Sequence, residues 1–477
     1  MKLAALLLPL SLTTFMPGSA WPPAAAVSGR PVPSQVPRTQ TAVGKIDSLM
    51  RRANELELFN GNVLVADNGK VIYSAALGFA DASRKTKLTA QHRFHIGSIA
   101  KEFNAVGIML LQEQGKLKLD DKVAKYLPQL PAWANTVSIR HLLQYTSGLP
   151  DVRWKTVKSD EDNLRDLMQL QKLDFEPGSN YAYNNNNVFL QRRIIEKVSG
   201  LTFKQFVEQR LLKPAGIKQA VVDPMEQDAF MARAYNQSRQ QDPLTYPISG
   251  WTSVTLADFY KWEQAITGCK LIGPEATRAI LIPVEPGKQA GLGRGSMVGN
   301  KVTEHIHDGT SSNYQALLVS NVSNGRTVLL LTNNKNNNLG KYNAAIQAIL
   351  DGKPYVQPKK SVLRTFSTKL DSLDGRQLLT FYQTLRATKS QEYGFEEEST
   401  LNEIGYYYLG KSRTADAVVV FERNTELFPQ SGNVFDSLGE AYYKQGDKPK
   451  ALLSYKRALQ LDPTNGTAKR IVAELDK

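Results

Sequence analysis

The chain has 477 residues, of which 42% are hydrophobic and 22% charged; this composition excludes a disordered or fibrous polymer, and the length excludes a single ordinary domain. The formal net charge is +14, but from residue 354 onward 18 basic side chains face 16 acidic ones, so the excess lies in the N-terminal three quarters. For an exported chain that charge suits anionic envelope polymers or acidic substrates rather than nucleic acid, and a solvated basic surface is the plainer reading.

The N-terminal stretch "MKLAALLLPLSLTTFMPGSAW" joins a lysine, an apolar run and the small residues Gly18, Ser19 and Ala20. This is the layout of a secretory signal peptide over residues 1–20, which predicts a periplasmic or secreted protein. The apolar run is too short to span a bilayer, no later stretch is apolar for long enough, and no cysteine near the cut offers a lipid anchor. The single Cys269 cannot form a disulfide within the chain and reads as a small core residue. Residues 21–40, rich in proline and small side chains, read as an extended linker. A helical pattern follows in "IDSLMRRANELELF", and then two alternating apolar runs around Asp67, Asn68 and Gly69 give a hairpin. Helices dominate from about 97 to 212, and strands return in "KVTEHIHDG", "SSNYQALLVSN" and "RTVLLLTNN". Strands from both ends of a segment with helices between predict an α/β or α+β fold, an antiparallel sheet flanked by helices beside a helical region, over 41–352.

Beyond a connecting segment at 353–397, the chain repeats. With a period of 34, Leu401, Ile404, Gly405, Tyr408, Ala417, Phe421 and Pro429 align with Phe435, Leu438, Gly439, Tyr442, Ala451, Tyr455 and Pro463. The period and the pattern resemble the tetratricopeptide repeat, a helical hairpin with small residues where its helices cross. Two such repeats are expected over 398–477, with a capping helix from 466. They offer a surface for a protein or peptide partner.

The chemistry is carried by "FHIGSIAKEF", which places Ser98 and Lys101 on one helical face. A serine hydroxyl is a poor nucleophile until a base takes its proton, and an amine at that spacing is such a base. No other serine in the chain has a lysine at this spacing. Downstream, "FEPGSNYAYNNNN" offers Tyr183 and Asn185 on a loop before a helix, and "EHIHDGTSSNYQALLV" brings His307, Asp308 and Gly309 into a strand.

With these segments in view, the region 45–350 resembles the serine hydrolases built like class C β-lactamases, a group that includes D-alanyl-D-alanine carboxypeptidases, other penicillin-binding-protein-type enzymes and esterases. "SIAK" resembles their Ser-x-x-Lys helix, "LLQYTSGL" their Leu-Leu-x-x-Thr-Ser-Gly-Leu turn and "YNN" their Tyr-x-Asn motif, while "HDG" at 307–309 stands where they carry Lys-Thr-Gly. The resemblance implies an exported enzyme that forms an acyl-enzyme at Ser98 on ester or amide substrates, D-amino-acid peptides and β-lactams among them. It implies that Lys101 and Tyr183 move the serine proton, that the N–H groups of Ser98 and Thr310, with Gly309 beside them, receive the oxyanion, and that Asn185 holds a substrate carbonyl. It calls for no cofactor. His307 in place of lysine is expected to anchor a substrate carboxylate weakly, which points away from an efficient β-lactamase. His305 reads as a core residue; a His305–His307 metal pair has no third ligand at suitable spacing, so no metal is expected. The competing reading is a silent hydrolase body that serves as a scaffold for the repeats.

Overall fold

A computed structural model describes residues 41–366 and 369–476. The expected signal peptide at 1–20 and linker at 21–40 lie outside the described residues. The body is built on a six-stranded antiparallel sheet in the order β2-β1-β9-β8-β7-β6. Its strands are β1 (Gly61–Asp67), β2 (Lys70–Leu77), β6 (Arg294–Val298), β7 (Lys301–Ser311), β8 (Tyr314–Asn321) and β9 (Arg326–Thr332). Strands from the two ends of the body meet where β1 pairs with β9, Gly61 opposite Thr332 and Val65 opposite Val328. The β1–β2 hairpin turns at Asn68 and Gly69, both with positive φ.

The central strands read as nearly unbroken apolar runs because both faces of the sheet are covered. Val63, Val65, Val328 and Leu330 face α1 (Ala42–Glu55) and α9 (Leu339–Leu350), while Leu64, Ala66, Leu329 and Leu331 join the larger core on the other face. Leu329 and Leu330 are both fully buried, and burial of each such side chain contributes about 2 kcal/mol.

The larger core is centred on α2 (Lys101–Glu113), which is buried on almost every side, and is completed by α5 (Asn185–Ser199), α7 (Leu256–Thr267) and α8 (Pro274–Leu281). Between α2 and α5 the chain is less helical than its pattern suggests. It holds only α3 (Ile139–Leu143) and α4 (Asp160–Gln169) between long irregular segments that contain Pro128, Pro131, Pro150 and Pro177. A short α6 (Phe203–Phe206) follows α5. A small second sheet pairs β3 (Phe94–His95) with β5 (Thr252–Val254), and β5 with β4 (Val221–Val222). Strands of two or three residues are too short for alternation to mark them in a sequence.

β10 (Lys360–Ser361) is followed by α10 (Val362–Phe366) and α11 (Gly375–Lys389), after which β11 (Tyr393–Gly394) pairs parallel with β10; then come the hairpins α12 (Ser399–Gly410) with α13 (Thr414–Leu427) and α14 (Gly432–Gln445) with α15 (Lys448–Leu461), closed by α16 (Gly466–Leu475). The repeated glycine has a steric cause. A Cβ on Gly405 would stand 2.4 Å from the Phe421 ring, and one on Gly439 would stand 3.0 Å from the Tyr455 ring, the equivalent pair one repeat later. The helical array meets the body through the Arg52 guanidinium, which donates to the Gln391 carbonyl, and through a Lys341–Glu397 ion pair at 3.6 Å.

Candidate active site

The turn that carries Ser98 is set by the residues before it. His95 pairs with Ser253 in the small sheet, and its Nδ1 accepts the Gly97 N–H at 2.9 Å. Burial, helped by the nearby Lys101 charge, pulls the His95 imidazole down to about 3, so it stays neutral and can accept that bond. Its ring lies among Tyr246, Trp251 and Tyr314. Gly97 has φ +56, and Ser98 sits in the 3-10 turn that runs straight into α2. Lys101 is therefore the first residue of that helix. Its side chain is 4% exposed, and Nζ donates to Ser98 Oγ at 3.0 Å.

Strand β7 passes beside this turn. Its pairing with β6 ends at Ile306 opposite Arg294, so from His307 onward this edge lacks a strand partner on the β6 side. The turn takes that place: a Cβ on Gly309 would fall 2.0 Å from the Ile96 carbonyl oxygen and 3.0 Å from the Ser98 nitrogen, and one on Gly97 would fall 2.4 Å from the Thr310 nitrogen. Two glycines thus allow the Ser98 and Thr310 amides to come together, as an oxyanion hole requires.

On the other side of Lys101, its Nζ stands 5.1 Å from the centre of the Tyr183 ring and 5.4 Å from that of Trp251. Tyr183 is 36% exposed and leans on Tyr145, with ring centres 4.7 Å apart. Burial holds the Tyr145 phenol well above its ordinary value, so it remains a neutral wall. Asn185 opens α5, whose N-cap is Asn184. Asp151 Oδ1 accepts the Asn185 backbone N–H at 2.8 Å and its side-chain amide at 3.3 Å. A small recess brings Lys101, Asn185 and Trp251 together, with Asn104 at its wall.

Beneath Lys101 lies a buried polar cluster. Glu102 is 0% exposed; its Oε1 lies 2.9 Å from His305 Nε2 and 2.6 Å from His307 Nδ1, and its Oε2 accepts the Trp262 indole N–H at 2.6 Å. Burial pushes the Glu102 carboxyl upward, but the His305 charge and the hydrogen bonds of both histidines outweigh it and hold the group at about 2. Burial likewise opposes protonation of His305, and Glu102 overrides it, so His305 lies above its ordinary value. Glu263, also buried, is raised by burial and takes the Ser320 hydroxyl at 2.7 Å. The two histidines contact the carboxylate at hydrogen-bond distance, and among the described residues no group of His, Cys, Asp and Glu is arranged to hold a metal ion.

Ser98, Lys101, Tyr183, Asn185, Gly309 and Thr310 are thus brought near one another from three separate stretches of chain. His307 differs from the expectation of a substrate anchor. The two-residue period of β7 turns 305, 307 and 309 to the same side, and the His307 ring is 2% exposed against Glu102. Glu102, His95, Asp151 and Tyr145 escape the motif reading. Each lies within or beside a motif, so adjacency was the one available signal.

Residues 46–351 match the family model described as Beta-lactamase, and residues 437–465 match that of the tetratricopeptide repeat. The chain is 27% identical over 353 residues to penicillin-binding protein 4* of Bacillus subtilis (strain 168), an alignment that covers 66% of this chain and 77% of that one. Among solved structures, a penicillin-binding protein from Bacillus halodurans aligns with a TM-score of 0.55 at 23% identity over 63% of this chain and 98% of its own. A class C beta-lactamase gives 0.55 at 21% over 66% and 97%, and the D-amino acid amidase from Ochrobactrum anthropi SV3 gives 0.54 at 19% over 65% and 98%. At these identities the structural matches speak for the fold.

Proposed function

Because the chain belongs to the beta-lactamase family of serine hydrolases, we propose that it is an exported enzyme that cleaves ester or amide bonds through an acyl-enzyme on Ser98. The observation that carries this reading is the 3.0 Å contact of Lys101 Nζ with Ser98 Oγ, on the turn that packs against the β7 edge at Gly309. Ser98 Oγ attacks the carbonyl carbon while Lys101 and Tyr183, acting together, take its proton. The oxyanion is received by the N–H groups of Ser98 and Thr310. The carbon–oxygen or carbon–nitrogen bond then breaks, the proton passes to the leaving group, and water releases the acyl group by the reverse path. Asn185, held by Asp151, contacts a substrate carbonyl.

Small esters, amides and peptides are the proposed substrates. D-amino-acid peptides and β-lactams belong in the first panel, since the relatives include a penicillin-binding protein and a D-amino acid amidase shares the fold. The repeats are proposed to bind a protein or peptide partner, as the tetratricopeptide match at 437–465 suggests. A fluorophosphonate probe should label the wild-type protein and leave Ser98→Ala unlabelled. Equal labelling of both proteins contradicts the assignment, and failure to label either leaves the scaffold reading in its place.

A further inference from the structure

A buried carboxylate costs several kcal/mol unless it is paired and fully hydrogen-bonded. Glu102 is buried, receives bonds from three side chains and follows directly on the base in sequence. Its partners come from two other elements. His305 and His307 lie on β7, the latter two residues before Gly309 and three before Thr310, and Trp262 lies on α7. Lys101 and Glu102, successive residues of one helix, differ by about 100° in direction, so the first can reach Ser98 while the second reaches the sheet. The single carboxylate therefore ties the start of α2, the lone edge of β7 and α7 together at the point where the serine and the strand amides must meet.

Resting on the reading of Ser98 and Lys101 given above, we infer that Glu102 is a positioning residue for acyl transfer: through His307 and His305 it fixes the β7 edge, and with it the Thr310 N–H, against the Ser98 turn. It touches no substrate and acts through the placement of the two oxyanion donors relative to the nucleophile. Misplacement of such groups by about 1 Å lowers rates on the order of a hundredfold. The effect belongs to kcat, because the donors matter most when charge develops in the transition state. The groups that face Glu102 are His305 and His307 from β7 and Trp262 from α7, with Glu263 close to His305, Lys101 next in its own helix and the Tyr145 phenol near enough to feel its charge.

Glu102→Gln keeps the shape but turns one acceptor oxygen into a donor, so that either the indole or the two histidines meet an N–H. With p-nitrophenyl acetate as substrate, Glu102→Gln should lower kcat by about tenfold or more while KM changes by less than about threefold. His307→Gln should show the same split, and the double variant should be no slower than the slower single, since both act through one contact. The His305 imidazole, followed by NMR, should lose its proton at lower pH in Glu102→Gln than in the wild type. A folded Glu102→Gln with wild-type kcat, an additive double variant, or a His305 titration unmoved by the substitution overturns the inference. If Glu102→Gln fails to fold, His307→Gln is judged by the same kcat criterion, and wild-type kcat there overturns it equally. Ser98→Ala in the same assay separates the two layers: turnover retained there defeats the acyl-enzyme reading itself, whereas turnover lost there and kept in Glu102→Gln defeats only the role given to Glu102.

Discussion

Lys101→Ala is expected to lower turnover by at least about a hundredfold, the range of a lost proton-transfer group. The side chain is buried, in contact with Ser98 Oγ at 3.0 Å and within 5.1 Å of the Tyr183 ring centre. Its removal takes away the amine on the path of the serine proton, which also stands over the Tyr183 and Trp251 rings. Tyr183→Phe should cost a similar factor while leaving the ring packing on Tyr145 intact. Groups that share one proton path act as a unit, so the double variant should be little slower than the slower single. Steady-state rates on an activated ester decide this: losses that multiply in the double variant would show that the two residues serve separate steps.

Glu102→Ala is expected to cost about 3–5 kcal/mol of stability, because it leaves buried His305 without its counter-charge. The pH dependence follows from the two shifts. The Glu102 carboxyl is held at about 2, below its unfolded value of about 4.3, so its contribution is present above that unfolded value and is lost as pH falls through about 2. His305 is raised, so its contribution is fully present below an unfolded value of about 6.5 and is lost as pH rises through the raised value. The contact is at full strength between those unfolded values. The thermal shift between wild type and Glu102→Ala should therefore be large near pH 5 to 6 and shrink above neutrality. A shift that is small near pH 5, or constant into the alkaline range, means that the carboxylate does not stabilise His305 as a cation.

Much of this architecture was legible in the sequence because it rests on short-range rules. The hairpin at Asp67–Gly69, the apolar runs of β8 and β9 and the period of the repeats each follow from local pattern, and the sheet closed between strands from both ends as that pattern implies. Ser98 and Lys101 were legible because one helical turn brings them together whatever the rest of the chain does. His307 was harder to read. Its place in the motif suggests a role toward substrate, but the alternation of β7 and the carboxylate of Glu102 turn it inward. Glu102 itself is a charged residue in an apolar helix, and its partners lie about 200 residues away along the chain. No periodicity reports a contact of that span. The loops before α4 and α5 were read as more helical than they are because prolines break a pattern whose apolar spacing continues through them.

The acyl-enzyme itself is the most direct measurement. After rapid mixing with p-nitrophenyl acetate and acid quenching, intact-mass spectrometry should show one acetyl adduct on the wild-type protein, peptide mapping should place it on Ser98, and Ser98→Ala should show neither adduct nor turnover. An adduct on another residue, or wild-type turnover by Ser98→Ala, contradicts the account.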